Sequence, residues 1–219
     1  MDEKIKNLPH VMFVTGIGTD VGKSFATGWL ARELARCGRK VITQKFVQTG
    51  NHDMSEDIET HRRIMGIPLQ ERDLDHTTAP LILSYPCSPD LAQKIDGMNI
   101  DWSVPGKSTD RLLEEYDTVL IEGAGGVLVP LTGEYLTADY IADGNLPAAL
   151  VTGGTLGSIN HTLLSLEALT NRKINITAII YNPFFDKDEV ICADTRDYIR
   201  RYINANLPGT VFLEMPAEV

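Results

Sequence analysis

Six short runs of consecutive apolar residues constrain this chain more than anything else in it: VMFVTG (11–16), KVITQKF (40–46), TVLIEG (118–123), PAALVTG (147–153), ITAIIYN (176–182) and TVFLEM (210–215). A strand with one wet face alternates apolar and polar residues, whereas these runs put Val, Ile and Leu on both faces. That is the pattern of a parallel sheet covered on each side. Helical periodicity fills the intervals, most clearly over residues 26–35, 55–65, 159–169 and 192–203. The expected fold is therefore α/β in three layers, with a mainly parallel central sheet. A chain of 219 residues suits one core, so residues 1–219 are expected to form a single domain. Residues 66–109, broken by Pro68, Pro80, Pro86, Pro89 and Pro105, read as loop and short helix laid over a site.

Charge and cysteine usage narrow the function classes. A formal net charge of −10 and the lack of a basic patch argue against a nucleic-acid partner, because phosphate-backbone binding needs surplus Lys and Arg. Cys37, Cys87 and Cys192 have neither zinc-site spacing nor the even count of a disulfide framework, and read as reduced thiols. The opening MDEKIKNLPH has no apolar signal-peptide core, and no apolar run reaches the ~18 residues of a membrane span. A cytoplasmic protein with no membrane partner is the expectation.

In an open parallel sheet, ligands bind beyond the carboxyl ends of the strands. After the first run stands Gly16-Ile-Gly18-Thr-Asp20-Val21-Gly22-Lys23-Ser24-Phe25, a glycine-rich turn opening a helix. Backbone N–H groups of such a turn point outward together and form a nest for a phosphate. Lys23 is placed to reach the outer phosphates and Ser24 a magnesium ion, although Ile17 stands where the usual loop has its first glycine. The alternative is an ordinary strand-to-helix turn with an exposed lysine.

The other strand ends carry matching chemistry. The third run ends in Glu122-Gly123-Ala124-Gly125, and a carboxylate on a buried strand needs a cation: magnesium, an arginine or a helix N-terminus. Lys45 ends the second run and either faces the same rim, if the sheet is parallel, or is an ordinary solvated lysine at a strand end. Ser55 reads as a helix cap, which leaves Asp57 either at the site or serving the helix dipole. Gly153-Gly154-Thr-Leu-Gly157 opens another helix through Ser158, Ile159 and Asn160, a second anion cradle or a plain turn. The Asn182-Pro183 pair could read a purine edge through its amide or simply form a turn.

Taken in order, GTDVGKS, KFVQTG, SEDIETHRRIMG, PCSPD, VLIEGAGGVLVPL, GTLGSINH and IIYNP resemble the dethiobiotin synthetase family across nearly the whole chain. The resemblance implies a single-domain phosphate-loop NTPase-like fold, a homodimer, and ATP-dependent ring closure. In that reaction 7,8-diaminopelargonic acid, carbon dioxide and Mg·ATP give dethiobiotin, ADP and phosphate, through a carbamate and its mixed anhydride with phosphate. By the same resemblance Asp20, Val21, Gly22, Lys23, Ser24 and Phe25 bind the triphosphate, and Ser24, Asp57 and Glu122 hold magnesium. Lys45 becomes a catalytic lysine beside Lys23, and Thr49 a substrate-holding hydroxyl. Glu122, Gly123, Ala124 and Gly125 then meet phosphates and substrate. Asn182 and Pro183, with Pro216, Ala217 and Glu218, face the base, while Ser158, Ile159 and Asn160 cap the substrate's acid tail across the dimer interface.

Two residues depart from the family pattern. Phe46 stands where proline usually follows the lysine, and Asp90 where histidine commonly follows Ser-Pro; both are expected to reshape the substrate groove. A rival from another class is the dimeric nucleotide-switch ATPase of the partitioning and division-site type. Such proteins carry an additional lysine early in the phosphate loop, where this chain has Ile17 and Gly18. They also often use a basic membrane-seeking helix, for which there is no counterpart here.

Overall fold

The computed structural model describes residues 2–217. In chain order the elements are α1 (Asp2–Lys6), β1 (Val11–Gly16), α2 (Lys23–Arg36), β2 (Val41–Lys45), β3 (Gln48–Thr49), α3 (Glu56–Met65), α4 (Glu71–Leu74), β4 (Ile82–Leu83), α5 (Pro89–Ile95) and α6 (Val104–Leu113). Then follow β5 (Thr118–Glu122), β6 (Pro130–Thr132), β7 (Tyr135–Leu136), α7 (Thr137–Asp143), β8 (Ala148–Gly153), α8 (Ser158–Asn171), β9 (Ile176–Asn182), a short 3-10 turn (Pro183–Phe185), α9 (Glu189–Asn206) and β10 (Val211–Glu214). Six strands form one sheet in the order β10-β9-β8-β1-β5-β2, and every pairing in it is parallel.

Alternation along these strands feeds two cores. Phe13, Ile42, Val119, Ile121, Leu150 and Ile179 point to one face, where they meet Leu112 of α6, Ile141 of α7, Leu166 and Leu169 of α8, and Ile199 and Ile203 of α9. Their neighbours Met12, Val14, Val41, Leu120, Val151 and Ile180 point to the other, against Trp29, Leu30 and Leu34 of α2 and Ile5 of α1. Successive side chains on a strand point oppositely, so a run that is apolar throughout must be covered twice. The three-layer α/β expectation is met, with a central sheet that is wholly parallel.

The clearest difference lies in residues 66–109. Pro86, Cys87, Ser88 and Pro89 do line the cavity described below, but α6 is a flanking helix with Leu112 fully buried in the core. Pro89 and Pro105 each occupy the first turn of a helix, α5 and α6. There the missing N–H has no partner to lose and the fixed φ suits the helix, so these prolines start helices. α7, over Thr137–Asp143, likewise gave no clear periodic signal.

Neither departure from the family pattern faces the groove. Phe46 is fully buried, with its ring 4.5 Å from that of Tyr140, 5.5 Å from Phe13 and 5.6 Å from Trp102. Its backbone N–H donates to the Glu122 carbonyl at 2.8 Å, a bond that a proline there would lack. Asp90 turns outward to Lys94 at 2.5 Å and accepts from the Gly133 N–H at 3.1 Å. Among the described residues no helix is long and apolar enough to cross a membrane.

Candidate active site

A cavity of about 860 Å³ opens at the carboxyl ends of β1, β2 and β5, within the size range of small-molecule sites. The parallel register sets Lys45 opposite Glu122 and Val14 opposite Glu122. The loop after β1 and the ends of β2 and β5 therefore meet by topology alone. Helix α3 adds a fourth contributor: Ser55 caps it by accepting from the Ile58 N–H at 3.2 Å, which sets the register that turns Asp57 inward.

Four polar groups converge on one point. Ser24 Oγ lies 2.5 Å from Asp57 Oδ1 and 2.9 Å from Glu122 Oε1. Lys45 Nζ donates to Asp57 Oδ2 at 2.5 Å, to Glu122 Oε1 at 2.8 Å and to the Gly123 carbonyl at 3.2 Å. A serine hydroxyl has one proton and cannot satisfy both carboxylates, so this trio of hard oxygens has cation-binding capacity left over. Lys23 Nζ folds back onto the Gly18 carbonyl at 2.9 Å and is buried beside them.

Burial and charge shift these groups in opposing directions. Burial opposes charge on the Glu122 carboxyl, but Lys45 and a hydrogen bond from His61 outweigh it and hold the group well below the usual carboxylate range. Burial likewise works against the Lys45 ammonium, yet Glu122 and Asp57 push its pKa above the ordinary lysine value. Lys23 behaves differently: burial dominates and lowers it to about 8, only partly opposed by Glu122. Lys45 thus stays charged, and Lys23 titrates near 8.

Could magnesium be held here? Among the described residues no group of three or more His, Cys, Asp or Glu side chains forms a metal cage. Magnesium does not require one, since it usually binds one or two carboxylates together with waters and substrate phosphates. Two carboxylate oxygens and a hydroxyl beside a phosphate-loop lysine fit that habit.

The loop itself is built around its glycines. Gly22 has φ +87°, and a Cβ there would lie 2.2 Å from Asn182 Nδ2. Gly125 has φ +64°, and a Cβ there would meet Val129 Cγ2 at 2.6 Å. Both positions combine the left-handed region with close approach, which only glycine tolerates.

Most site residues read from the sequence line the one cavity: Asp20, Gly22, Lys23, Ser24, Phe25, Lys45, Thr49, Asp57, Glu122, Ala124, Gly125, Asn182 and Ala217. Others stand behind it. The Val21 carbonyl accepts from Asn182 Nδ2 at 3.0 Å, while Asn182 Oδ1 accepts from the Phe184 N–H at 3.0 Å. Asn182 thus ties the phosphate loop to the 3-10 turn that Pro183 begins. Gly123 contributes its carbonyl to Lys45. Pro183 and Pro216 are not among the lining residues, and Glu218 lies outside the described residues. Ser158, Ile159 and Asn160 open α8, as read, but none of the three lines this cavity.

Sequence reasoning missed several members. His61 is fully buried, with Nε2 2.5 Å from Glu122 Oε2 and Nδ1 2.9 Å from Thr43 Oγ1. Its signal was present, since Asp57 and His61 stand four apart on one face of α3. Phe184, Phe185 and Met215 also line the cavity, and the Phe184 and Phe25 rings lie 6.3 Å apart and 15° from parallel.

Comparison with known proteins gives the family. A family model described as an AAA domain matches residues 10–216. The chain is 47% identical over 205 residues to ATP-dependent dethiobiotin synthetase BioD 2 of Pasteurella multocida, covering 94% of this chain and 96% of that one. It is 52% identical over 190 residues to ATP-dependent dethiobiotin synthetase BioD of Chlorobaculum tepidum, covering 87% and 80%. The corresponding protein of Methanocaldococcus jannaschii is 34% identical over 207 residues, covering 92% and 93%. Among solved structures, chloroplast FtsY from Physcomitrella patens aligns with a TM-score of 0.52 at 17% identity, over 94% of this chain and 57% of that one, a likeness of fold alone. With identities of this size over nearly its full length, and a phosphate loop, lysine and carboxylates gathered in one cavity, the chain belongs to the ATP-dependent dethiobiotin synthetase family.

Proposed function

We propose that this chain is an ATP-dependent cyclo-ligase that makes dethiobiotin, in biotin biosynthesis, from 7,8-diaminopelargonic acid and carbon dioxide. The observation that carries this reading is the convergence of Lys45, Ser24, Asp57 and Glu122 at the mouth of the phosphate loop. A loop that only bound nucleotide would need no second buried lysine facing two carboxylates. The nucleotide-switch alternative calls for an early loop lysine, where this chain has Ile17 and Gly18.

In the proposed reaction one substrate amine adds to carbon dioxide, loses a proton and becomes a carbamate. A carbamate oxygen attacks the γ-phosphorus of ATP and ADP leaves. The second amine then attacks the carbonyl carbon, the C–O bond to phosphate breaks, and the ureido ring closes with release of phosphate. Lys45 faces the carbamate and the moving phosphoryl group, and its ammonium stabilises the anionic oxygens of both. Lys23 and the backbone N–H groups from Asp20 to Phe25 hold the triphosphate. Ser24, Asp57 and Glu122 would hold magnesium, which supplies charge neutralisation on the phosphate oxygens when bound. Preorganised charge of this kind is commonly the largest catalytic contribution.

Thr49 lines the cavity beside Lys45 and would hold the substrate amine end. The base would lie toward Asn182, Pro183, Pro216 and Ala217. Ser158, Ile159 and Asn160 would serve a neighbouring subunit's substrate in a homodimer. Leu156, just before that segment, and Leu164, one turn further along α8, are strongly exposed, as an association face would require.

The reading is tested by supplying purified protein with diaminopelargonate, bicarbonate and Mg·ATP. Dethiobiotin should appear by mass spectrometry, and disappear when any one component is omitted. ATP hydrolysis without dethiobiotin would overturn it.

Lys23 adds a pH signature. Its ammonium, with a pKa of about 8 in the free protein, is the form a triphosphate favours. Above pH 8 nucleotide binding must therefore take up a proton. Affinity for ATP is expected to fall by up to roughly tenfold per pH unit above 8 as Lys23 loses its proton. Calorimetry in buffers of different ionisation enthalpy reads the proton uptake directly. A binding heat independent of buffer at pH 8.5 would mean that nucleotide binding does not change the protonation of Lys23, against this pH signature.

A further inference from the structure

The proposed reaction makes no use of His61, yet this imidazole is completely buried and touches Glu122. Its partners fix which nitrogen does what. Arg62 is held by Asp73 through two bonds, Nε to Oδ2 at 2.8 Å and Nη2 to Oδ1 at 2.7 Å. Its Nη1 donates to Thr43 Oγ1 at 2.7 Å. A guanidinium has no acceptor, so the Thr43 oxygen accepts, and its single hydroxyl proton is free to go to His61 Nδ1 at 2.9 Å. Nε2 then carries the ring proton and donates to Glu122 Oε2 at 2.5 Å. The chain Asp73–Arg62–Thr43–His61 ends on the carboxylate oxygen remote from Ser24, while Oε1 of the same carboxylate meets Ser24 and Lys45.

We propose that His61 is a positioning residue that anchors Glu122 Oε2 through its Nε2–H, holding Oε1 toward Ser24 and so setting the affinity of the divalent-cation site. The inference rests on the reading of Glu122 as a magnesium ligand. Partners behind a ligating carboxylate commonly matter by 10–100-fold in metal affinity or activity.

Two variants separate the nitrogens. In His61→Gln the amide reaches about as far as Nε2 and keeps the bond to Glu122. In His61→Asn it reaches only about as far as Nδ1 and keeps the bond to Thr43. With Mn²⁺ as the probe in the presence of ADP, calorimetry should give wild type and His61→Gln within about threefold, and His61→Asn weaker by about 10–100-fold. The magnesium concentration for half-maximal dethiobiotin formation should rise by the same factor in His61→Asn, with a smaller change in kcat at saturation. A folded His61→Asn that binds Mn²⁺ like wild type would overturn the inference, as would equal weakening in both variants. A measurement that needs no variant is long-range ¹H–¹⁵N correlation on wild-type imidazoles, where the inference requires a proton on His61 Nε2; an unprotonated Nε2 overturns it. Failure of the wild type itself to bind Mn²⁺ with ADP would overturn the magnesium site together with it, whereas the other adverse results strike the role of His61 alone.

Discussion

Lys45→Met is expected to lower dethiobiotin turnover by ~10²–10³, the scale for removing one preorganised charge donor from a transferring group. Methionine keeps much of the volume and unbranched reach and removes only the ammonium. That ammonium is buried between two carboxylates, 2.5 Å from Asp57 and 2.8 Å from Glu122. Burial works against its charge, but the carboxylates outweigh burial and raise its pKa, so it stays charged over the whole working range and no pH adjustment restores the variant. Stability should fall as well, because two facing carboxylates lose their shared cation. The loss belongs near the low end of the ~3–5 kcal/mol for breaking a buried pair, since the Asp57 side chain is 24% exposed. Glu122 also keeps Ser24 and His61 as donors. Urea denaturation reads the stability change and the product assay the rate. Turnover within a few-fold of wild type would remove Lys45 from the chemistry.

Glu122→Gln carries the second large effect. Glu122 accepts on both oxygens, from Ser24 and Lys45 on one and from His61 on the other. A glutamine amide can accept on one side only, so its NH₂ must face either the lysine or the imidazole donor. The variant therefore loses a ligand charge and gains a donor–donor conflict. The magnesium concentration for half-maximal rate should rise about 10–100-fold, with part of the lost rate recovered at high magnesium. An unaltered magnesium titration would exclude Glu122 from the ligand set.

Much of the architecture and of the site was legible in the sequence because both depend on local pattern. Runs such as TVLIEG announce a strand buried on both faces, and parallel order alone then carries Lys45, Glu122 and the phosphate loop to one rim. What was illegible depends on facing direction or on long-range contact. Pro89 and Pro105 read as breaks because a proline's effect depends on whether it falls in a helix's first turn or its interior. Phe46 follows a site lysine, yet strand alternation sends its ring into the core against Tyr140. The spacing of His61 from Asp57 puts both on one face of α3, but only the approach of α3 to β5 gives the imidazole its partner 61 positions away. Asn182 accepts from Phe184 in the turn that the Asn-Pro pair offered, but also donates to Val21, 161 positions away, a contact that no local spacing announces.

The central claim is that Lys23, Lys45, Ser24, Asp57 and Glu122 serve one bound triphosphate. A crystal structure with Mg²⁺, a non-hydrolysable ATP analogue and diaminopelargonate tests it most directly. The account predicts that Lys23 leaves the Gly18 carbonyl for a phosphate oxygen, that the cation meets Ser24 Oγ with Asp57 and Glu122 around it, and that Lys45 stands between the γ-phosphate and the substrate amine. A nucleotide bound in another place, or a γ-phosphate beyond contact with both lysines while Lys45 stays locked between its carboxylates, would contradict it.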